Sequence, residues 1–438
     1  MRYTSKHKVI AGIAAAVLLS GGAGLASTRL TAATAVVTST AAPPVKVVGN
    51  HIVNAQTGAV IQLHGVNESS WVNDCANSPN YWNGTVAEAA QPATWTGINA
   101  IRIHINEDCW LGLNNLPRDY SAASYRNAIK TAVSDANAAG LEVDLTLGWS
   151  APGTTQSLGQ NTMIDASHGP ALWDSVASVF GRNLAVIFEL YNEPRPDHGQ
   201  DDAAAAECVK NGGPAGTCAP FATAGMQAIT DDVRKAGAEN IILEGGPHSE
   251  EDPHLWNTYE VTDPLHDVAA AWHVYPRGSC HTLSCWTGDV KPVADQVPVI
   301  ASEVGDQVSA GACSDSYPLQ AADWMDGTDH GAISPVAFVW DTHFGGCDNM
   351  LANFNGTPTS YGSVWKSAFA VSLGSSPPPP TNAPATAASA PAGHNGRCAG
   401  YRMRGRHRHR HRARWVSRTA DRPGPACGRW NGPPTGLS

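Results

Sequence analysis

Two carboxylates close apolar runs in this chain. Val186-Ile-Phe-Glu-Leu-Tyr-Asn-Glu-Pro194 begins as a continuous β-forming stretch, the pattern of a strand buried on both faces. It must stop at Asn192-Glu193-Pro194, because proline cannot donate to a sheet ladder. Val297-Pro-Val-Ile-Ala-Ser-Glu303 has the same form and also ends in a carboxylate. Ala100-Ile-Arg-Ile-His104 and Val268–Tyr275 are two further apolar runs, carrying Arg102, His104, His273 and Tyr275. Alternation along a strand puts His273 and Tyr275 on one face. Trp340 ends another run, while Trp71, Trp110 and Trp149 fall in or beside strand ends. Parallel α/β barrels gather their chemistry at C-terminal strand ends, where Glu193 and Glu303 would supply a proton donor and a second carboxyl opposite it. Taken singly, each residue also has a plain reading. Asn-Glu-Pro can be a polar turn, Arg102 a rim salt bridge, His273 a satisfied core group, and the tryptophans packing.

The elements that must position these residues alternate. Strand-like runs fall at 60–66, 100–104, 143–149, 186–191, 240–244, 268–275, 297–303 and 336–340. Helical spacing lies between several of them: 122–140, ending at glycine, 170–181 with Leu172, Val176 and Phe180 on one stripe, 220–237, and 361–373. Residues 51–58 read as a small hairpin with Thr57-Gly58 at its turn. Eight strands with helical or loop crossovers predict an α/β (β/α)8 barrel over 46–373.

The flanks differ from this domain. Arg2, Lys6 and Lys8 precede the apolar run Val9–Ala26, a secretory signal expected to end by residue 35, followed by a structureless leader over 36–45. Ten cysteines in an exported chain read as disulfides. Sequence order suggests neighbouring pairs, without fixing the connectivity, and no compact Cys/His quartet of the zinc type is present. A Pro/Ala/Thr linker at 374–393 leads to a tail at 394–438. From Pro377 onward there are 11 arginines against one acid, Asp421, so this end carries +10 and the remainder of the −10 chain carries −20. An acidic main domain is a poor nucleic-acid binder. Arg406-His-Arg-His-Arg-His-Arg412 has three readings: a polyanion site, metal chelation by His407, His409 and His411, or an altered reading frame. Read one base later, Arg-His codons give alternating β-type residues, so the tail is expected to be a frameshifted remnant of a carbohydrate-binding module, disordered as written.

Strand-Asn192-Glu193-Pro194, Arg102, His273-x-Tyr275, Glu303 and Trp340 together resemble glycoside hydrolase family 5, the retaining cellulases, mannanases and relatives. The resemblance spans nearly the whole main domain and implies Glu193 as general acid/base and Glu303 as nucleophile at the end of strand seven. It implies that Asn192 contacts a sugar 2-hydroxyl, that Arg102 keeps the nucleophile ionised, and that Tyr275 and His273 attend the two carboxyls. Trp340 would floor the central sugar site, with Trp71, Trp110 and Trp149 stacking further rings. One position departs from the pattern. Gly148, in Thr146-Leu-Gly-Trp149, stands where the family usually has a histidine; His104 or a nearby loop would have to substitute, or activity would be lost. The expected protein is thus a secreted, monomeric endo-β-1,4-glucanase acting on polysaccharide or oligosaccharide by double displacement, needing no metal or organic cofactor and no membrane after signal removal. A mannanase, a xylanase, an exo-acting enzyme or an impaired sugar-binding barrel are the alternatives. A serine esterase is not supported, because no Gly-x-Ser-x-Gly elbow occurs.

Overall fold

The computed structural model describes residues 41–72, 86–115, 121–196, 202–306, 316–328, 331–344 and 347–372. The expected signal sequence, linker and basic tail lie outside them. Eight parallel strands close into a barrel in chain order: β1 (Gly65–Glu68), β2 (Ala100–Asn106), β3 (Glu142–Trp149), β4 (Val186–Glu189), β5 (Ile242–Glu244), β6 (Val268–Val274), β7 (Val299–Val304) and β8 (Ile333–Ala337), which pairs back to β1. The (β/α)8 expectation holds. Helices at Ala122–Ala138, Gly169–Phe180, Met226–Lys235 and Ser360–Ser372 fall where the periodicity places them.

Period-two alternation sorts the strands into two surfaces. Ile101, Ile103 and Ile105 of β2, with Val143, Leu145 and Leu147 of β3, join the outer core beneath the helices. Inward positions are apolar at the strand starts: Ala100, Ile187, Leu243, Ala269, Ala271, Ile300 and Val336 form a separate plug. The inward positions nearer the strand ends become polar: Asn67, Arg102, His104, Asp144, Glu189, His273 and Glu303, all buried. The barrel is thus greasy at its floor and charged at its mouth.

Three boundaries differ from the sequence reading. The hairpin pairs Val45–Val48 with His51–Asn54 around Gly49-Asn50, and the expected turn at Thr57-Gly58 follows it, where Asn54 N–H donates to Ala59 O (2.8 Å) and Ile61 N–H to Ile52 O (2.9 Å). Val45 and Ile52 enter the apolar plug, so the hairpin covers the barrel floor. Residues 41–45, expected as leader, are tied down: Ala42 N–H donates to Asn137 O (2.8 Å) and Val45 N–H to Leu184 O (2.9 Å). The first barrel strand is Gly65–Glu68; Val60 only bridges Val53. Two disulfides, Cys208–Cys218 and Cys280–Cys285, follow the neighbouring-pair order. Cys109 and Cys347 are also disulfide-bonded, while positions 75 and 313 lie outside the described residues. Among the described residues, no helix is long and apolar enough to cross a membrane.

Candidate active site

Arg102 is the hub of the mouth. It is completely buried and directs its donors at five acceptor oxygens. Nε and Nη2 hold Glu189 in a two-pronged pair (2.5 and 2.8 Å), and Nη2 also donates to Asn192 Oδ1 (2.7 Å). Nη1 donates to Glu303 Oε1 (2.7 Å) and Asn67 Oδ1 (2.9 Å). A guanidinium can be buried only when its charge and N–H groups are matched in this way. Burial opposes its charge, but Glu189, Glu303 and Asp144 more than reverse that and raise its pKa well above the usual value.

Glu303 reaches the mouth through a bulge. Ala271 of β6 pairs with Ile300, yet His273 pairs with Glu303: two steps on β6 match three on β7. The β8 side shows the same count, with Ala301 opposite Pro335 and Val304 opposite Ala337. Strict alternation from the inward Ile300 would turn Ser302 inward and Glu303 outward; one extra residue reverses this. Its Oε2 then accepts from Tyr275 Oη at 2.6 Å. Tyr275 itself is pushed up, first by burial and then by the charge of Glu303, and remains a proton donor.

Glu193 enters from the loop after β4 in a left-handed backbone conformation (φ 50°), rare for a residue with a Cβ. His273 stands between the carboxyls. Its Nδ1 lies 3.4 Å from Glu193 Oε1 and 3.7 Å from Glu303 Oε2, and its Nε2 lies 3.0 Å from Glu250 Oε2. Single oxygens of Glu193 and Glu303 and a nitrogen of His273 all fall within 4.8 Å of one another. Burial disfavours charge on His273, but Glu303 and Glu250 overcome it and raise the imidazole well above its ordinary value. The effect on Glu193 is reciprocal. Burial pulls its carboxyl up, but the hydrogen bond and charge of His273, then Arg195, bring it below the usual range.

Gly148 is the bulged residue of β3, where Ile105 faces Leu147 but Asn106 faces Trp149. A Cβ there would sit 2.7 Å from Val72 Cγ1 and 3.4 Å from His104 Cβ and Nδ1. The space of a strand-three histidine is therefore filled by His104, whose Nε2 lies 2.9 Å from Arg102 Nη1 and 3.2 Å from Asn67 Oδ1. Burial first, then the charges of Arg102 and His273, keep this imidazole neutral.

The tryptophans divide. Trp149 is half-buried at the end of β3. Trp71 and Trp110 are not positioned to stack sugars: both are at most 2% exposed, and Trp110 donates to Ser175 Oγ. Trp340 is corrected as well. It is buried edge-on against Trp95, 4.5 Å between ring centres, within the outer core. β8 ends at Ala337, so alternation does not carry inward to residue 340. Phe338, which follows the inward Val336, instead packs with Tyr275 (6.2 Å), and the exposed Phe344 lies edge-on against it (4.8 Å). The sequence reading also passed over Asn67, Asp144, Glu189 and Glu250. Glu189 carried a signal: a carboxylate inside a continuous apolar strand has to find a buried cation.

A closed eight-stranded barrel with two carboxyls facing across its mouth is the frame of a glycoside hydrolase. Residues 53–344 match the cellulase family, glycosyl hydrolase family 5, and the chain belongs to that family. Similar solved structures include a β-glucanase of Saccharophagus degradans in complex with cellotetraose, with TM-score 0.57 and 17% identity over 77% of this chain and 96% of that one. The catalytic domain of a Thermobifida fusca endoglucanase has TM-score 0.50 and 15% identity over 74% and 97% of the two chains. An endo-β-1,4-glucanase variant of Xanthomonas axonopodis pv. citri has TM-score 0.50 and 16% identity over 71% and 100%. At such identities the likeness is one of fold. No curated protein matches the chain.

Proposed function

We propose that this glycoside hydrolase is an exported endo-β-1,4-glucanase that cleaves with retention of configuration. The observation that carries the reading is that one carboxyl oxygen of Glu193 and one of Glu303 lie within 4.8 Å of each other. Retaining glycosidases hold their carboxyls about 5–5.5 Å apart, whereas inverting ones leave about 6.5–9.5 Å for a water. Glu303, gripped by Arg102 and Tyr275, attacks the anomeric carbon while Glu193 protonates the departing oxygen. The resulting glycosyl ester is hydrolysed by a water that gives its proton to Glu193. Asn192 Oδ1 is engaged by Arg102, which leaves the amide NH2 as the group we assign to the sugar 2-hydroxyl. Until substrate binds, His273 holds the working proton, its imidazole raised and the Glu193 carboxyl lowered by their contact. A sugar covering the 22% exposed Glu193 side chain strips its remaining water and favours transfer of that proton to the carboxyl. Trp149 and Phe344 are the aromatic faces offered to neighbouring rings. The cellotetraose complex of the similar β-glucanase supports a β-glucan substrate, and the two described disulfides support export.

Reducing-end release from carboxymethylcellulose, mannan and xylan by the protein and its Glu303→Gln variant tests the assignment. Proton NMR of the first-formed anomer tests the stereochemistry. Initial α-product, or equal release by both forms, would overturn the reading.

A further inference from the structure

We propose that Glu250, on the loop after β5, is a positioning residue of the acid/base pair, fixing the peptide of Glu193 and the ring of His273 together. This inference rests on the retaining reading of Glu193 and Glu303 given above.

Glu250 is 1% exposed. Its Oε1 accepts the Glu193 backbone N–H at 3.0 Å, and its own backbone oxygen accepts the His273 N–H at 2.8 Å. Its Oε2 stands 3.0 Å from His273 Nε2, in an ion-pair contact rather than an aligned hydrogen bond, so charge carries this arm. The neighbouring Ser249 N–H donates to Pro194 O at 3.0 Å. One short loop therefore holds both the Asn-Glu-Pro turn and the β6 histidine.

The backbone is bent to achieve this. His248, Ser249 and Glu250 have φ of 61°, 58° and 62°, and Glu193 has φ of 50°. Four residues with side chains meet in left-handed conformations, which persist only where their surroundings enforce them. Gly245, just past β5, completes the arrangement: a Cβ there would lie 1.9 Å from Glu250 Oε1. No other residue leaves room for this carboxyl.

With Nε2 drawn to Glu250, Nδ1 is the nitrogen aimed between Glu193 and Glu303. The groups facing His273 are Glu193, Glu250 and Glu303, with His104 across the mouth. Those facing Glu250 are His273, Glu189, Arg102, Asp144 and Tyr259. Burial, opposed by His273 and reinforced by Glu189, lifts the Glu250 carboxyl to about 7. Removing its negative charge weakens the hold of His273 on a proton, so the Glu193–His273 pair loses its proton at a lower pH.

The test compares the full chain with Glu250→Gln and Glu250→Ala, checking each fold by calorimetry. kcat/KM is measured against pH on carboxymethylcellulose and on 2,4-dinitrophenyl β-cellobioside, whose leaving group needs little protonation. Glu250→Gln should lower kcat/KM on the polysaccharide by about 10–100-fold and on the activated glycoside by less than about threefold. Its alkaline limb should move down by about one pH unit. Glu250→Ala, which also loses the acceptor for Glu193 N–H, should be worse on both substrates; if it does not fold, the Gln variant decides alone. Equal losses on both substrates with an unmoved pH limb, or wild-type kinetics in folded Glu250→Gln, would overturn the inference. Glu303→Gln is assayed alongside. If it too is fully active the retaining reading falls, whereas an inactive Glu303→Gln beside an unaffected Glu250→Gln removes only the role of Glu250.

Discussion

Restoring the family histidine at position 148 should damage this protein rather than improve it. The first side-chain atom added there meets Val72 Cγ1 at 2.7 Å, and the ring would have to occupy the volume already held by His104, whose Nδ1 is 3.4 Å from that atom. Overpacking of a closed core costs about 1–3 kcal/mol. At about 2–4 °C per kcal/mol, Gly148→His should lower Tm by roughly 2–12 °C. Displacing His104 also disturbs its contact with Arg102 Nη1, and through it the guanidinium that holds Glu303. Loss of a hydrogen bond to a charged group is worth about 1.5–3 kcal/mol, so kcat/KM on carboxymethylcellulose should fall about 10-fold or more. The double variant Gly148→His/His104→Ala exchanges the ring between strands and should recover part of both losses, the Val72 conflict remaining. Calorimetry and steady-state kinetics on the three forms check this. A single Gly148→His variant with native Tm and equal or higher kcat/KM would show that His104 does not fill the place.

Tyr275→Phe removes the 2.6 Å donor to Glu303; at about 1.5–3 kcal/mol this predicts roughly 10–150-fold lower kcat/KM with little change in Tm. Trp149→Ala should raise KM for cello-oligosaccharides, whereas Trp340→Phe should reduce Tm and leave KM near native, because Trp340 packs on Trp95. Kinetics beside thermal unfolding separates the two, and the reverse pattern would refute the placement. Glu142 is 2% exposed, with no hydrogen-bond partner for either carboxyl oxygen among the described residues, and burial lifts it to about 9. Between about pH 4.5 and 9 the folded chain keeps a proton that the unfolded chain releases, so this group makes stability fall as pH rises. Glu142→Gln should leave stability unchanged near pH 4 and raise it by up to about 3 kcal/mol at pH 7; a stability difference constant with pH would refute this.

The barrel was legible because its signals are local. Apolar runs of β-forming residues, helical stripes and glycine stops each specify one element, and eight in alternation leave few arrangements. Glu193 was legible for the same reason, since Pro194 announces the end of its strand. The misplacements lie where strands depart from regularity. Trp340 was read as if β8 continued through it, but the strand ends at Ala337 and Phe338 takes the place beside Tyr275. Gly148 read as a defect because the ring that replaces a strand-three histidine comes from His104 on the adjacent strand. Glu250 gave no local sign: it belongs to a turn, and its partners Glu193 and His273 are 57 and 23 positions away. Such a residue becomes visible only once the strands are side by side.

The bulge in β7 makes this strand tolerant of a shortening that substitution scanning would never sample. Removing a single residue between Ile300 and Glu303 would leave the carboxylate two places from the inward Ile300, so that plain alternation alone would keep it aimed into the barrel opposite His273. Homologous chains shorter by one triplet there can therefore carry the same glutamate to the sugar without a bulge, and the codon count of that short segment does not tell cutting barrels from silent ones.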